Sequence, residues 1–212
     1  MVAETLLIVK GMAAGFIISM PVGPVALLAI TRTLHKGRLS GFFSGMGGAT
    51  ADTFYALVAA FGLTIVINFV LSYKLALQIA SGLLVILFGL RIFTTNPVKD
   101  YRNRGREQPS LLKDYLSVLP LAFANPVSLF VYLGVFSGLS ASSGSGTMRD
   151  LLLVPGVLAG AMLWWITLSG VISRFRKMIK LRTLLWINQI AGSIIMVFGL
   201  VLLFLPFINI NQ

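Results

Sequence analysis

One acid sits deep in an apolar stretch of this chain. Asp52 lies in "GATADTFYALVAAFGL" (Gly48–Leu63), and its nearest charged neighbours in sequence are Arg38 and Lys74. A charge held at that depth in lipid costs at least ~2.5–3.5 kcal/mol unless it is paired, protonated or in a wet cavity. Burial disfavours the charged form of a carboxylate. Asp52 is therefore a candidate to carry a proton, to bind a cationic group, or to do both in alternation. Tyr55 is three residues on, on the same helix face, and its hydroxyl can donate a hydrogen bond. A structural Asp bonded to a neighbouring Ser, Thr or Asn is the plainer reading.

Two further stretches put helix breakers where a helix would otherwise run. "MPVGPVALLA" (Met20–Ala29) carries Pro21, Gly23 and Pro24, and "ANPVS" (Ala124–Ser128) carries Asn125 and Pro126. Proline in a helix interior costs about 3 kcal/mol and glycine roughly 1 kcal/mol. In lipid a broken backbone is tolerated only where it is buried in protein or lines a cavity. The freed amides and carbonyls, with the half-helix dipoles, can hold a substrate's carboxylate or ammonium. A proline kink would explain either site alone. Asn125 suits capping of the broken helix as well as substrate contact. The candidate substrate-binding set is thus Pro21, Gly23, Pro24, Asp52, Tyr55, Asn125 and Pro126, with Asp52 also the candidate for proton coupling.

No catalytic arrangement accompanies these residues: there are no paired acids, no His pair and no Ser/Lys set with catalytic logic. One embedded acid, no cysteine and no embedded histidine make a poor site for a soft metal. No metal and no bound cofactor are expected. His35 stands in a basic turn and reads as solvated. Trp164 and Trp165 fall mid-segment rather than in an interfacial belt, with packing the default and cavity lining the alternative. Small residues recur every fourth position at Gly11, Gly15, Ser19 and Gly23, and at Gly37, Gly41, Gly45 and Ala49. Such rows make smooth faces on which helices pack closely or slide.

The elements that position these residues follow from composition. The chain is 57% hydrophobic and only 11% charged, against about 25% charged in a soluble domain. That leaves too little polar surface for water, so the solvent is lipid. Charge-free runs cover 11–31, 53–73, 115–148, 151–173 and 183–212, and crossing ~30 Å of hydrocarbon takes about 20 residues. The pattern predicts six transmembrane helices, at about 6–31, 40–67, 75–94, 115–139, 150–172 and 186–207. The run before Arg91 is short, but Arg91 can snorkel. The first span is not expected to be a cleaved signal peptide: Glu4 precedes it and no small-x-small cleavage site follows. At 1.5 Å per residue, Asp52 lies about 20 Å, Pro24 about 12 Å and Pro126 about 18 Å from the cytoplasmic ends of their spans. All three fall in the middle of the bilayer.

The net charge of +11 is unevenly spread. Arg32, Lys36 and Arg38 follow the first span. Arg91, Lys99, Arg102, Arg104, Arg106 and Lys113 follow the third. Arg174, Arg176, Lys177, Lys180 and Arg182 follow the fifth. The opposite side holds Lys10, Lys74 and Arg149. The positive-inside rule then puts the basic connections in the cytoplasm and both termini outside, in a multi-pass protein of the cell (inner) membrane. The basic excess is accounted for by topology and anionic headgroups, so no nucleic-acid partner is expected.

Internal similarity divides the chain. "QIASGLLVILFGL" (Gln78–Leu90) matches "QIAGSIIMVFGL" (Gln189–Leu200), and the breaks of spans 1 and 4 correspond. Three spans per half make the halves opposite in orientation, the inverted-topology repeat of many secondary transporters. The expected organisation is a single transmembrane domain over 1–212. A first three-helix repeat (1–94) and a second (114–212) are joined by a cytoplasmic linker (95–113), and "SASSGSGT" (140–147) is an outer Gly/Ser turn.

The segment 20–63 resembles the first half of the LysE/RhtB (lysine exporter) family of amino-acid efflux transporters. The likeness rests on a Pro-Gly-Pro-like break (Pro21, Gly23, Pro24) and a basic turn with glycines (Lys36, Gly37, Gly41). Asp52 follows, ahead of an apolar stretch ending in Gly62-Leu63. "FANPVSLFVYLGVFSGL" (123–139) resembles the family's Asn-Pro segment. The break here reads Pro-Val-Gly-Pro, one residue longer than the family's usual form, and Ala51 precedes Asp52 where Gly is common.

The resemblance implies an all-α polytopic exporter of an amino acid or derivative, working by proton-coupled antiport and alternating access. The implied partners are the lipid bilayer, a small-molecule substrate, and a proton or other coupling ion, with a homo-oligomer allowed. A cation or metal-ion exporter of the same superfamily is the first alternative. A membrane scaffold or accessory subunit without transport of its own is the second.

Overall fold

A computed structural model describes residues 2–20, 23–62, 64–95, 110–123, 126–143, 147–176 and 181–208. Among these, ten helices and no strand are present: α1 (Val2–Ser19), α2 (Pro24–Lys36), α3 (Arg38–Phe61), α4 (Thr64–Ser72), α5 (Lys74–Thr94), α6 (Leu111–Leu116), α7 (Leu119–Phe123), α8 (Pro126–Ser143), α9 (Thr147–Phe175) and α10 (Leu181–Ile208).

Three helices are long and apolar enough to cross a membrane, over 74–94, 149–175 and 182–204. Two more pairs reach that length only together. α1 and α2 meet at 80°, and α6–α7 meets α8 at 74°, which brings the number of candidate spans to as many as five. These are interruptions rather than kinks. α1 stops at Ser19, and α2 restarts with Pro24 in its first turn behind Gly23, where proline's fixed φ and missing N–H cost least. The chain is thus a multi-pass membrane protein. α10 turns Trp186, Ile190, Ile194, Val197, Val201 and Phe204 outward at spacings of three or four, one helix face exposed to the surroundings. Such a continuous apolar stripe suits lipid, not water.

α3 occupies the centre, in contact with α1, α2, α6, α7, α8 and α9. It has 24 residues, but its glycines, hydroxyls and Asp52 keep it outside the strongly apolar set. It does not need that apolarity, because protein rather than lipid covers much of it: Ser40, Gly41, Ser44, Gly45, Gly47, Gly48, Ala49 and Ala51 are all buried. Its ends are set by glycine. Gly37, at φ +114°, turns the chain from α2 into α3, and Gly62 closes α3 in the left-handed conformation. The expected second span, 40–67, therefore ends early, and Thr64–Ser72 forms a separate short helix.

Two other boundaries differ from the sequence reading. α6 begins at Leu111, where the Ser110 hydroxyl accepts from the Lys113 amide, so the end of the 95–113 stretch is helical. α8 continues through Ser143, so helix takes in the first part of the stretch 140–147 expected as an outer Gly/Ser turn.

The glycine rows are contact surfaces. A Cβ added at Gly11 or Gly15 would run into the backbone carbonyls of Leu153 and Val157, and one at Gly156 or Gly160 into those of Ile8 and Met12. α1 and α9 therefore touch backbone to backbone. α5 and α10 do the same reciprocally. A Cβ on Gly82 would lie 3.0 Å from the Gly199 carbonyl, and one on Gly199 2.9 Å from that of Gly82. Gly89 and Gly192 mirror them at 2.9 and 2.8 Å. The first glycine of each matching motif thus meets the second glycine of the other.

Candidate functional site

Asp52 points from α3 toward the first break. The Ser19 hydroxyl, on the last residue of α1, donates to Asp52 Oδ2 at 2.9 Å. One turn away, the Tyr55 hydroxyl donates to the carbonyl of Phe123 at 2.9 Å. Phe123 is the last residue of α7, immediately before the second break. A helix that stops inside a membrane leaves its last carbonyls without intrahelical partners, and Tyr55 supplies one. The rings of Phe54, Tyr55 and Phe123 pack edge to face around this bond, at centroid separations of 5.4–6.1 Å. Both broken helices therefore end against the same turn of α3.

The far side of the first break adjoins the same helix. A Cβ on Gly48, one turn before Asp52, would lie 3.2 Å from Val25 Cγ1 at the start of α2. Among the described residues, no side chain caps the α2 N-terminus, and a Cβ on Gly23 would meet nothing within 4 Å. The positive end of α2 thus has open space beside it.

Of the sequence-predicted residues, Gly23, Pro24, Asp52 and Tyr55 come together here. Pro126 opens α8. Pro21 and Asn125 lie outside the described residues.

Trp165 is buried, and its ring fills the gap that Gly45 leaves, with Gly48 beside it. It packs, as the default reading holds. Trp164 stacks edge to face on Phe16 at 5.4 Å. His35 corrects the expectation of a solvated side chain. It is buried, and its Nε2 pairs with Asn188 Oδ1 at 2.8 Å, while Asn188 Nδ2 donates to the Thr95 carbonyl. α2 is pinned against α10 at that end, and Arg176 donates to the carbonyls of Leu34 and His35.

A second buried acid was not singled out from sequence. Asp114, only 1% exposed, joins α6 to α2 and α3. Lys36 Nζ reaches its Oδ1 at 2.7 Å, the Ser40 hydroxyl donates to its Oδ2 at 2.7 Å, and Arg32 Nε lies 3.6 Å from Oδ1. The Arg32 guanidinium also donates to the Asp114 carbonyl and to the hydroxyls of Ser44 and Ser117. Asp114 falls at the first position after the 95–113 linker, and the sequence reading gives it no role. The usable signal was its position at the very start of the apolar run 115–148.

Interrupted membrane helices that end together at an embedded acid define a polytopic membrane protein of the carrier type. The comparisons give the family. Residues 16–205 match the LysE type translocator model, and the chain belongs to that family of translocators. It is 26% identical over 197 residues to "Putative amino acid efflux protein YcgF" of Bacillus subtilis (strain 168), a match that covers 87% of this chain and 89% of that one. No solved structure matches the chain.

Proposed function

We propose that this protein exports an amino acid or amino-acid derivative across the cell (inner) membrane by proton-coupled antiport. The observation that carries the reading is the convergence of both interrupted helices on the Asp52–Tyr55 turn. A zwitterionic substrate needs an acceptor for its ammonium and a donor for its carboxylate. Asp52 offers the first, and the uncapped N-terminus of α2 and its open space offer the second. Asp52 carries the proton in the other half of the cycle. Family membership and the amino-acid efflux named for the Bacillus relative support the substrate class.

In this reading six spans form a 3+3 inverted repeat: α1–α2, α3 and α5, then α6–α8, α9 and α10. Support comes from the reciprocal glycine contacts between α5 and α10 and from the paired breaks. The clusters around Asp114 and His35 then hold the cytoplasmic end shut, and both termini lie outside. The test is counterflow in proteoliposomes loaded with each of the twenty proteinogenic amino acids and, separately, with divalent cations. Accumulation of an amino acid supports the proposal. Accumulation of a divalent cation alone, or of nothing, overturns it.

A further inference from the structure

We propose that the hydroxyl of Tyr132 is a binding group of this transport site, donating to the carboxylate of a bound amino acid. The inference rests on the transport reading above and deepens it. Tyr132 lies on α8, six residues beyond Pro126, or about 9 Å along the helix. It is completely buried, in a cluster that includes Ala51, Tyr55 and Ala56 of α3. Ala51 immediately precedes Asp52 in α3.

Among the described residues its hydroxyl oxygen is buried without a hydrogen-bond partner, as are the indole nitrogens of Trp164 and Trp165. Tyr132 differs in this from the other tyrosines of the region. The hydroxyls of Tyr55 and Tyr115 are both partnered, by the Phe123 carbonyl and the Thr50 hydroxyl. A buried donor left unmade is a standing cost, and in a membrane no bulk water makes up for it. Phenylalanine would fill the same volume without that cost. A donor kept in this position, packed against the turn of α3 that carries Asp52, fits a ligand that arrives with its own acceptor. An amino acid has one: with its ammonium toward Asp52, its carboxylate is the acceptor within the same small molecule. The preceding break lets α8 start next to α7, which ends against Tyr55, so the second repeat contributes a substrate contact of its own.

Tyr132→Phe removes only the hydroxyl. The proposal predicts two effects of opposite sense. Without substrate, the variant melts in detergent at or above the wild-type temperature, because no protein bond is lost. In counterflow, the apparent affinity for the amino acid that the wild type carries fastest falls about ten- to a hundredfold, the size of one hydrogen bond to a charged group. Uptake of the decarboxylated amine of the same amino acid, which has no carboxylate, is unchanged by the substitution. A lowered melting temperature would give the hydroxyl a structural partner and overturn the proposal. So would unchanged affinity for the amino acid, or an equal loss for the amine, which would mean that Tyr132 acts through Asp52. If the wild type carries no amino acid, the transport reading itself fails and takes this inference with it. A transporting wild type with an insensitive Tyr132→Phe refutes the inference alone.

Discussion

Ser19 donates its hydroxyl hydrogen to Asp52 at 2.9 Å, so the end of the first half-helix and the embedded acid of α3 form one unit. The C-terminal end of a helix carries partial negative charge, which makes Ser19 an unfavourable neighbour for a second negative charge and a good one for a hydrogen-bonded or protonated acid. Any change in the charge of Asp52 is therefore felt at the break, where α1 hands over to α2. In the proposed cycle, that link gives proton transfer at Asp52 a mechanical outlet: it would load or unload the joint between two half-helices.

Asp52→Asn keeps the size and hydrogen bonding of the side chain but fixes it neutral. If Asp52 carries the coupling proton, exchange of substrate for substrate survives and net flux driven by a pH gradient falls to background. If it pairs instead with a substrate ammonium in the binding step, binding itself is lost. Both are measured on one reconstituted sample, and wild-type values for both would leave Asp52 a structural residue.

Gly23 has an ordinary extended backbone, and an added Cβ there meets nothing among the described residues. Gly23→Ala is expected to change stability by no more than about 0.5 kcal/mol, as at a site without packing, and to leave flux intact. Gly23→Leu fills the space beside the α2 N-terminus, so it should fold normally and lose transport. Normal flux through a folded Gly23→Leu protein would show that the space is not part of the path.

A reporter fused after Arg106 is expected to read cytoplasmic and one fused after Ser145 external. The reverse pair would invert the orientation drawn from the Lys and Arg distribution.

What the sequence disclosed, and what it hid, follows from the range of the forces involved. Hydrophobic runs and helix breakers act locally, so α5, α9, α10 and both interruptions are legible from composition and from Pro21–Pro24 and Asn125–Pro126. The matching Gly82/Gly89 and Gly192/Gly199 motifs are legible too, although that they touch each other is not. Contacts across the bundle leave no local mark. Asp114 shows no role in sequence, where Lys113 is its neighbour, because Ser40 and Lys36 are its neighbours only in space. His35 looks solvated for the same reason, its partner Asn188 being 153 residues away. Tyr132 is one aromatic residue among many until its hydroxyl is seen to lack a partner. The end of α3 was missed because Gly62 stands in a run that stays apolar on both sides.

Asp114→Asn removes the counter-charge of a guanidinium whose side chain is 15% exposed. Breaking a buried pair by removing one partner costs about 3–5 kcal/mol. The lower end is expected here, because the Lys36 side chain, at 45% exposure, stays in reach of solvent. Thermal melts in detergent should show a clear loss for Asp114→Asn and a smaller one for Asp114→Asn with Arg32→Gln, where no charge is stranded. A double variant as unstable as the sum of the singles would mean that the two side chains act independently.

Gly45 and Trp165 give the most direct test of the packing at the centre. The ring of Trp165 occupies the place that a Cβ on Gly45 would need. Gly45→Ala must therefore displace a buried indole in a core with little room, an overpacking cost of about 1–3 kcal/mol. The displacement also pushes α9 from α3 one turn below Gly48, where Val25 and Trp165 both close on the helix. Transport should fall along with stability, because the start of α2 shifts. Trp165→Leu removes the obstructing ring but leaves a void, and costs stability on its own. In the double variant the methyl partly fills that void, so the combined loss is smaller than the sum of the single losses, a coupling expected only of residues in contact. Melting temperatures of the wild type, both singles and the double decide it, and strict additivity would place the indole elsewhere than on Gly45.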